Sequence, residues 1–386
     1  MTIKANWSFP TAVRFGAGRI GELAQACQSA GIKRPLLVTD PGIAKMPMTA
    51  TALKICRDAG LQIAVFSDVK PNPVESNLTA GIAAFRAGNH DGVIAFGGGS
   101  ALDCGKVIAF MSGQTRPVWD FEDIGDWWTR ANPDGIAPII AVPTTAGTGS
   151  EVGRAGVITN EKTHTKKVIF HPLMMPKIVI ADPELTVGMP AFITAGTGMD
   201  AFAHCLEAYC APGYHPMADG IAVEGMRLVK ENLVRVIKDG KDLDARGNMM
   251  SAAAMGATAF QKGLGAIHSL SHPVGALHDT HHGMTNAVFM PYVLIFNRRA
   301  IKERMVPLAA YLGLKRPGFK SFLEWVLELR ADIGVPHTLK EFNVDDSHRE
   351  DIIKMAPKDP TAGGNPIKLT KAGAAKIFDR AMNGTL

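Results

Sequence analysis

The sequence predicts an α/β protein of two domains, a parallel sheet covered by helices followed by an all-helical half. Three observations predict this. The first half alternates short runs rich in valine and isoleucine with helical patterns. The second half has long periods rich in alanine, leucine and methionine and few β-branched runs. The length, 386 residues, exceeds what one hydrophobic core usually serves. Because the character changes near Pro190, we expect domains over residues 1–189 and 190–386.

Apolar runs bounded by turn residues supply the strands of the first domain. We predict strands over 35–40, 62–69, 92–100, 137–145 and 177–185. A helical pattern at 75–88 lies between two of them. Because the runs are continuously apolar rather than alternating, we expect a parallel sheet buried on both faces. The polar, aromatic segment 116–135 is irregular, and it is either a surface excursion near a cleft or a plain loop.

Composition excludes several classes of protein. The formal net charge is +5 and is spread along the chain, which does not favour nucleic-acid binding. The five cysteines are odd in number and lack CxxC spacing, so a reducing compartment fits better than a disulfide framework or a structural zinc site. The first residues lack the apolar core of a signal peptide, and no apolar run approaches the roughly 20 residues of a membrane span. We therefore expect a cytoplasmic protein whose partners include neither nucleic acid nor a membrane.

A glycine-rich loop follows the predicted strand at 92–100. Gly98 and Gly99 lead into Ser100, which we expect to cap the next helix, with Asp103 as a capping-box-like partner. Glycines let a phosphate approach the backbone, and a helix N-terminus offers free N–H groups. The loop therefore predicts a phosphate-binding site, with an ordinary strand-to-helix turn as the alternative.

The stretch PTTAGTGSEV is a second loop of this kind. It follows another buried strand and offers the hydroxyls of Thr144, Thr145 and Thr148. Two such loops at strand ends of one sheet indicate a cleft for a phosphorylated cofactor. The GxGxxG pattern in FGAGRIG is weaker, because the strand candidate before it is short and contains Arg14, and we interpret it as a tight turn.

Asp40 ends the run PLLVTD. A carboxylate at that position can accept hydrogen bonds from a ribose diol and would repel a 2′-phosphate, which favours NAD over NADP. The alternative is that Asp40 caps the helix that follows.

Histidines concentrate in the stretch GAIHSLSHPVGALHDTHHG. It holds five of the twelve in the chain: His268, His272, His278, His281 and His282. Asp200 and His204 are four residues apart, so both lie on one helix face, and His268 and His272 have the same spacing. One aspartate and three histidines would suit Fe²⁺ or Zn²⁺, with room for an alcohol oxygen whose pKa the metal would lower. The alternative is a polar helix face.

Four motifs together resemble the iron-dependent (group III) alcohol dehydrogenases. They are GGGSALDCGK, PTTAGTGSEV, GMDAFAHCLEAY and the pattern HxxxHPxGxxxxxxHG, and they occur in order over nearly the whole chain. The resemblance implies a dehydroquinate-synthase-like fold. In that fold an α/β dinucleotide-binding domain precedes a helical metal-binding and substrate domain, with the active site between them.

The resemblance also implies roles for individual residues. The metal ligands would be Asp200, His204, His268 and His282. His272 would be the catalytic proton relay. At two positions the sequence departs from the family pattern: His281 is a rival ligand to His282, and His278 would face the substrate, with solvent-facing polarity as the alternative for both. The cofactor contacts would be Asp40, Asn72, Gly98, Gly99, Ser100, Asp103, Thr144, Thr145, Thr148 and Lys166.

The implied activity is reversible hydride transfer between NAD and a short-chain alcohol or hydroxy acid, in the manner of 4-hydroxybutyrate dehydrogenase-like members. Fe²⁺ is the implied metal, Zn²⁺ the alternative, and the implied assembly is a homodimer or larger.

A carbon–oxygen lyase of the dehydroquinate synthase type would need a Lys/Arg cluster, and none surrounds the histidine stretch. A maleylacetate reductase-like enzyme would need no metal, so the intact ligand set argues against it. A non-enzymatic binding protein would need no four-ligand metal site, so the metal content of the protein distinguishes it from the enzyme.

Overall fold

The computed structural model describes residues 11–163 and 165–386, which divide into two compact units. The first unit, here the sheet unit, comprises residues 11–145 and 149–187. The second, the helical unit, comprises residues 146–148 and 188–386. The short segment 146–148, within the second glycine loop, thus packs with the helices rather than with the strands that flank it in sequence.

Six parallel strands form the main sheet, in the order β1-β8-β5-β4-β2-β3, and two more form an antiparallel hairpin. The strands are β1 (Ala12–Phe15), β2 (Pro35–Val38), β3 (Ala64–Phe66), β4 (Gly92–Gly97), β5 (Ile139–Pro143), β6 (Ala155–Asn160), β7 (Thr165–Phe170) and β8 (Ile178–Ala181). The chain passes from β2 to β3 on one side and then to β4 on the other. Ligands of parallel sheets bind at the carboxyl ends of strands where the order reverses in this way.

The apolar runs explain the centre of the sheet. Every residue of β2, β4 and β5 is buried, as expected for strands covered on both faces. The edge strands β1 and β3, of four and three residues, are largely exposed, and only three residues of the predicted strand at 62–69 form a strand. The helices around the sheet are α1 (Leu23–Ser29), α2 (Pro47–Asp58), α3 (Glu75–Ala87) and α4 (Gly99–Met111).

Two features lie outside the central strands, one that agrees with the sequence interpretation and one that was not predicted. FGAGRIG is a tight turn, as interpreted, since Gly16 and Gly18 have φ of +137° and +76° after the edge strand. The hairpin of β6 and β7 was not predicted from the sequence. Its residues are mostly half-buried and carry Lys166 and Lys167, so they lack the continuous apolar pattern of the other strands.

The helical unit is built from nine helices over its described residues. They are α5 (Ala191–Cys210), α6 (Pro216–Lys238), α7 (Leu243–Ala259), α8 (Ala266–His278), α9 (His282–Ile301), α10 (Met305–Tyr311), α11 (Phe319–Asp332), α12 (Arg349–Met355) and α13 (Lys371–Asn383). Helix α5 is the centre, packing on α6, α7 and α9. Side chains of Asp242 and Thr370 accept backbone N–H bonds at the starts of α7 and α13, which stabilises those ends.

Small residues bring α7 against the middle of α5. A Cβ at Gly256 would lie 2.9 Å from the Cβ of His204, so only glycine permits this approach. Among the described residues, no helix is both long and apolar enough to cross a membrane.

Candidate functional site

Helix α5 carries a row of polar residues on one buried face. Asp200, His204 and Glu207 follow one another at helical spacing and are 4%, 4% and 6% exposed. Charged side chains are seldom buried this deeply unless they are paired or hold a metal. The row therefore has a function other than packing.

The start of α9 crosses α5 beside this row. A Cβ at Gly283 would lie only 2.1 Å from the carbonyl oxygen of Gly196, so glycine is required for the crossing. The crossing places His282 next to Asp200. His281 instead lies beside Gly196, one turn before Asp200 on α5, and its Nδ1 accepts the N–H of Met284 and caps α9.

Three imidazoles converge on one oxygen of Asp200. Its Oδ1 lies 3.7 Å from His204 Nε2, 3.6 Å from His268 Nε2 and 3.5 Å from His282 Nε2. Asp200, His204 and His268 form the tightest group, with all three ligand atoms within 4.8 Å of one another. The geometry thus brings together the four residues that the resemblance implies as metal ligands.

Asn286, one turn after His282 on α9, lies among these groups. Its Nδ2 donates to Asp200 Oδ1 over 2.8 Å and lies 3.2 Å from His282 Nε2. Its Oδ1 is buried without a hydrogen-bond partner in the described part of the chain. A single amide cannot satisfy a carboxylate and several imidazole lone pairs at once. A divalent cation can, so the donor set fits a metal of the Fe²⁺ or Zn²⁺ type.

The charges at the site are strongly coupled. Burial alone would raise the pKa of Asp200, but the facing His204, His282 and His268 rings outweigh it and hold that pKa well below its usual range. Burial lowers the pKa of His204 to about 4, against the opposing pull of Asp200. Burial would also lower the pKa of His268, yet hydrogen bonds to Asp200 and Glu207 raise it to about 9. The site is therefore electronegative and suited to a cation.

Glu207 is a functional residue that the sequence analysis missed. Its Oε2 lies 2.6 Å from His268 Nδ1, and its Oε1 accepts the N–H of Ile267 over 2.7 Å. The carboxylate thus fixes the ring of His268 with Nε2 towards Asp200. Its signal was the spacing of seven residues from Asp200, which continues the same face of α5.

Replacing Glu207 with glutamine should weaken metal binding about 10- to 100-fold, because outer carboxylates orient the ligand and increase its basicity. Competition with a chromogenic chelator measures the metal affinity directly. Glu328→Gln, at an exposed position of α11, is the matched control and should leave the affinity unchanged. Equal affinities in the two variants would show that Glu207 does not support the site.

The other two histidines of the stretch have separate surroundings. His272 stacks on His282, with ring centroids 5.3 Å apart, and its Nδ1 lies 2.8 Å from Asp359 Oδ2. His278, at the end of α8, packs edge-on against His348 with centroids 5.3 Å apart. His272 therefore adjoins the metal-ligand group, whereas the substrate contact of His278 stays a prediction.

In the sheet unit, the segments predicted to bind the cofactor lie at the carboxyl ends of β2, β4 and β5. Gly97 pairs with Pro143 in register, and Thr144 N donates to Gly97 O over 3.0 Å, so the two loops lie side by side. A Cβ at Gly98 would lie 3.3 Å from the Thr145 side chain. The hydroxyl of Thr144 is buried and has no hydrogen-bond partner within residues 11–163 and 165–386. An unused buried hydroxyl beside a glycine loop is suited to a ligand oxygen.

The two carboxylate oxygens of Asp40 have different surroundings. Oδ1 accepts the N–H groups of Gly42 and Ile43 and caps the following turn, which was the alternative interpretation. Oδ2 lies near the glycine loop, 3.8 Å from the position that a Gly97 Cβ would occupy. One oxygen thus remains available for a ribose hydroxyl.

The capping role predicted for Ser100 and Asp103 is wrong. Gly98 precedes α4, and Ser100 Oγ lies inside its first turn, where it donates to the carbonyl of Pro71. That bond joins the first glycine loop to the loop of Asn72. Asp103, 8% exposed, accepts the Ser150 hydroxyl and, over 2.9 Å, the N–H of Val157. Asp103 is therefore occupied by contacts that tie the two glycine loops together.

Two further predicted cofactor residues, Lys166 and Thr148, belong to different units. Lys166 lies within β7, opposite Thr159. Thr148 belongs to the segment 146–148, which packs with the helical unit: a Cβ at Gly147 would lie 2.8 Å from Thr197 Cβ of α5. Lys166 therefore lies outside both glycine loops, Thr148 lies within the second, and the cofactor contacts of both stay predictions.

Known proteins resemble the chain over its whole length. The profile described as iron-containing alcohol dehydrogenase matches residues 10–183, and that of the Fe-containing alcohol dehydrogenase family, C-terminal, matches residues 194–382. The 4-hydroxybutyrate dehydrogenase of Cupriavidus necator is 39% identical over 382 residues, 96% of this chain and 98% of its own length.

Solved structures agree with this similarity. The crystal structure of 1,3-propanediol oxidoreductase superposes with a TM-score of 0.93 at 35% identity, covering 98% of this chain and 100% of that one. Sulfoacetaldehyde reductase from Bifidobacterium kashiwanohense, solved in complex with NAD⁺, gives a TM-score of 0.88 at 28% identity, covering 98% and 99% of the two chains. Both the parallel sheet and the helical half are therefore shared with these enzymes.

Proposed function

The chain belongs to the iron-containing alcohol dehydrogenase family, and we propose that it transfers hydride reversibly between NAD and a short-chain alcohol or hydroxy acid. The fold is the dehydroquinate-synthase-like fold of that family. The observation that carries the proposal is the convergence of three imidazoles on one oxygen of Asp200, at 3.5 to 3.7 Å.

Four side chains would hold the metal: Asp200, His204, His268 and His282. We propose iron, after the family, although the same nitrogen and oxygen donors accept Zn²⁺. The metal, when bound, supplies Lewis acidity that lowers the pKa of the alcohol. Glu207 holds His268 in place for this task. His272, beside His282, would take the proton that the alcohol releases, directly or through water.

The glycine loops of the sheet unit would bind the cofactor. We propose that the pyrophosphate lies against Gly98, Gly99 and the start of α4, because a helix N-terminus offers backbone N–H groups to an anion. Thr144 would donate its unused hydroxyl. We keep Asn72, Lys166 and Thr148 as predicted contacts. The NAD⁺ bound to a structural neighbour that covers nearly the whole chain supports this assignment.

Replacing Asp40 with asparagine should reduce the preference for NAD over NADP by at least about tenfold, a change of about 1.4 kcal/mol. Asparagine keeps an Oδ1 acceptor for Gly42 and Ile43 but removes the charge that repels a 2′-phosphate. The ratio of kcat/KM for the two cofactors measures the effect. Asp58→Asn, at an exposed position on α2, should leave that ratio unchanged. An unaltered ratio in Asp40→Asn would assign Asp40 to capping alone.

The direct test is NAD⁺ reduction, followed by absorbance, with ethanol, 1,2-propanediol, 1,3-propanediol and 4-hydroxybutyrate. Each alcohol is assayed with chelator-stripped enzyme and again after Fe²⁺ or Zn²⁺ is restored. We expect activity that disappears with the metal and returns with it. Full activity in metal-free enzyme would overturn the role of the metal. Bound metal and NAD without NADH from any alcohol would favour the lyase of the dehydroquinate synthase type.

The same panel addresses the substrate. The relatives named above act on 4-hydroxybutyrate and 1,3-propanediol, which both carry a terminal hydroxyl and a second polar group. We propose 4-hydroxybutyrate as the first candidate, because the relative named for it shares 39% of its residues with this chain. A higher kcat/KM for 1,3-propanediol would assign the chain to diols instead.

We further propose that the protein is a cytoplasmic homodimer or larger homo-oligomer. The five cysteines are all free and buried, which is consistent with a reducing compartment. Light scattering coupled to size-exclusion chromatography measures the assembly, and a mass of 41.1 kDa in solution would identify a monomer.

A further inference from the structure

A segment far along the chain lies against α8, the helix of His268 and His272. The segment is DPTAGGN, residues 359–365, and it contains a short turn over Pro360–Gly364. Its first residue faces His272: Asp359 Oδ2 lies 2.8 Å from His272 Nδ1, and the two side chains are 12% and 20% exposed. The contact spans 87 residues of sequence, and neither the motifs nor the spacing of the histidines indicated it.

The second oxygen of Asp359 is also fully engaged. Its Oδ1 accepts the N–H of Thr361 over 2.9 Å and the Thr361 hydroxyl over 2.6 Å. These bonds fix the carboxylate plane, so Oδ2 is held in one direction. Asp359 therefore presents a stationary acceptor to His272 rather than a mobile surface charge.

The segment is anchored to the first turn of α8. Thr361 Oγ1 lies 2.9 Å from Ser269 Oγ, and Asn365 Oδ1 accepts the N–H of Ala266 over 3.1 Å. Asn365 also exchanges amide hydrogen bonds of 2.8 and 2.9 Å with Asn297 of α9. Because these contacts hold the segment against α8, the helix that carries His272, they fix the position of Asp359 relative to His272.

The chemistry of the pair decides the tautomer of the ring. An ionised carboxylate only accepts hydrogen bonds, so the nitrogen that faces Asp359 must carry the hydrogen. In a neutral imidazole the other nitrogen is then an acceptor. The position of Asp359 thus leaves Nε2 of His272 with the lone pair.

We propose that Asp359 is a positioning residue for proton transfer, which holds His272 as the Nδ1–H tautomer and reserves Nε2 for the proton of the alcohol. The proposal rests on the proposed function for its role in the reaction. The step is balanced: the O–H bond of the alcohol breaks, Nε2 gains the proton, and the hydride leaves the same alcohol carbon for NAD⁺. Asp359 itself keeps its charge throughout.

The tautomer can be observed without any turnover. The enzyme is labelled with [¹⁵N]histidine and loaded with Zn²⁺, which is diamagnetic, and its imidazole nitrogens are recorded by NMR. The His272 signals are those that disappear in His272→Gln. We expect an Nδ1–H pattern in the wild type and a mixture with, or change to, Nε2–H in Asp359→Asn. An Nε2–H pattern in the wild-type spectrum overturns the proposal, even if the variant does not fold.

The kinetic test uses three substitutions. Asp359→Asn should lower kcat about 10²- to 10⁴-fold, as expected when the proton-accepting histidine is in the wrong tautomer, with KM for the alcohol nearly unchanged. Asp359→Glu should restore part of kcat, because it retains a carboxylate. Asp351→Asn, exposed on α12, is the matched control and should have wild-type kinetics.

The outcomes separate this proposal from the proposed function. If wild-type enzyme with bound metal oxidises no alcohol but shows the Nδ1–H tautomer, the function fails and the orienting contact stands. If the wild type is active and Asp359→Asn keeps its tautomer and its kcat, the positioning role fails and the dehydrogenase stands. Metal content and melting temperature should be unchanged in Asp359→Asn. A loss of metal would instead make Asp359 a structural support of the metal site and would overturn the proposal.

Discussion

Replacing Asp200 with asparagine should remove the bound metal and lower kcat/KM for the alcohol by at least about a thousandfold, or ~4 kcal/mol of transition-state stabilisation. Asp200 is the anion among the four proposed ligands, and its Oδ1 is the common neighbour of all three imidazoles. Asparagine has the same shape but no charge, so it cannot compensate a divalent cation at a site from which water is largely excluded. Elemental analysis measures the metal, and NADH formation measures the rate.

The same substitution should not unfold the protein. The carboxylate is 4% exposed, but the facing imidazoles hold its pKa below the usual range, so the ionised form stabilises the metal-free fold and its removal should lower the metal-free melting temperature without preventing folding. Asp332→Asn, at an exposed position of α11, serves as the control and should retain metal and activity. Stoichiometric iron together with wild-type activity in Asp200→Asn would disprove the proposed ligand set.

Four residues of the proposed site could be predicted from the sequence because they form two pairs with local spacing, although His272 is the proposed proton acceptor rather than a ligand. Asp200 and His204 are four residues apart on one helix, as are His268 and His272, so a helical period already places them on a face. The buried strands β4 and β5 were equally predictable, since continuous apolar runs leave few alternatives. The choice between His281 and His282 was different. The spacing and the glycine that follows favour His282, and the close contact of Gly283 with Gly196, which supports that choice, is seen only in the packed helices.

The contacts that support His268 and His272 could not be predicted in this way, although the helical period does place Glu207 on the same face as Asp200. Glu207 meets His268 across 61 residues, and Asp359 meets His272 across 87. No local period encodes such contacts, because they depend on how α5, α8 and the 359–365 segment pack. At Ser100 the local pattern was misleading. Its position before a helical pattern suits a cap, but α4 already begins at Gly99, and the Ser100 hydroxyl donates to the carbonyl of Pro71 instead.

The sheet unit contains a buried ion pair whose loss should affect cofactor binding. Lys106 of α4 is 1% exposed, and its Nζ lies 3.2 Å from Asp103 Oδ1 and donates to the carbonyl of Ser150 over 2.9 Å. It also donates to the carbonyl of Ala155. The first glycine loop precedes α4, and Ser150 lies within the second, so the lysine joins the two loops. Glu151, also buried, has a pKa raised by burial to about 7, so it is partly protonated near neutral pH and Asp103 is the main balancing charge.

Replacing Lys106 with methionine should destabilise the sheet unit by about 3–5 kcal/mol, since it leaves the negative charge of Asp103 buried without a positive charge beside it. The dissociation constant of NAD should rise by about tenfold or more, equivalent to at least about 1.4 kcal/mol, as the two loops lose their common support. Denaturant unfolding measures the first effect and calorimetric titration of NAD the second. Metal content should be unchanged, because every proposed ligand lies in the helical unit.

The chain offers a matched pair for comparison. Lys54 and Asp58 form an ion pair on α2 of the same unit, but their side chains are 75% and 63% exposed. Lys54→Met should therefore cost no more than about 0.5 kcal/mol and leave NAD affinity intact. The double variant Lys106→Met with Asp103→Asn removes both buried charges and should recover part of the lost stability. If this double variant recovers stability but not NAD affinity, the ion pair acts by holding the two glycine loops in place. Equal effects of Lys106→Met and Lys54→Met would refute that role.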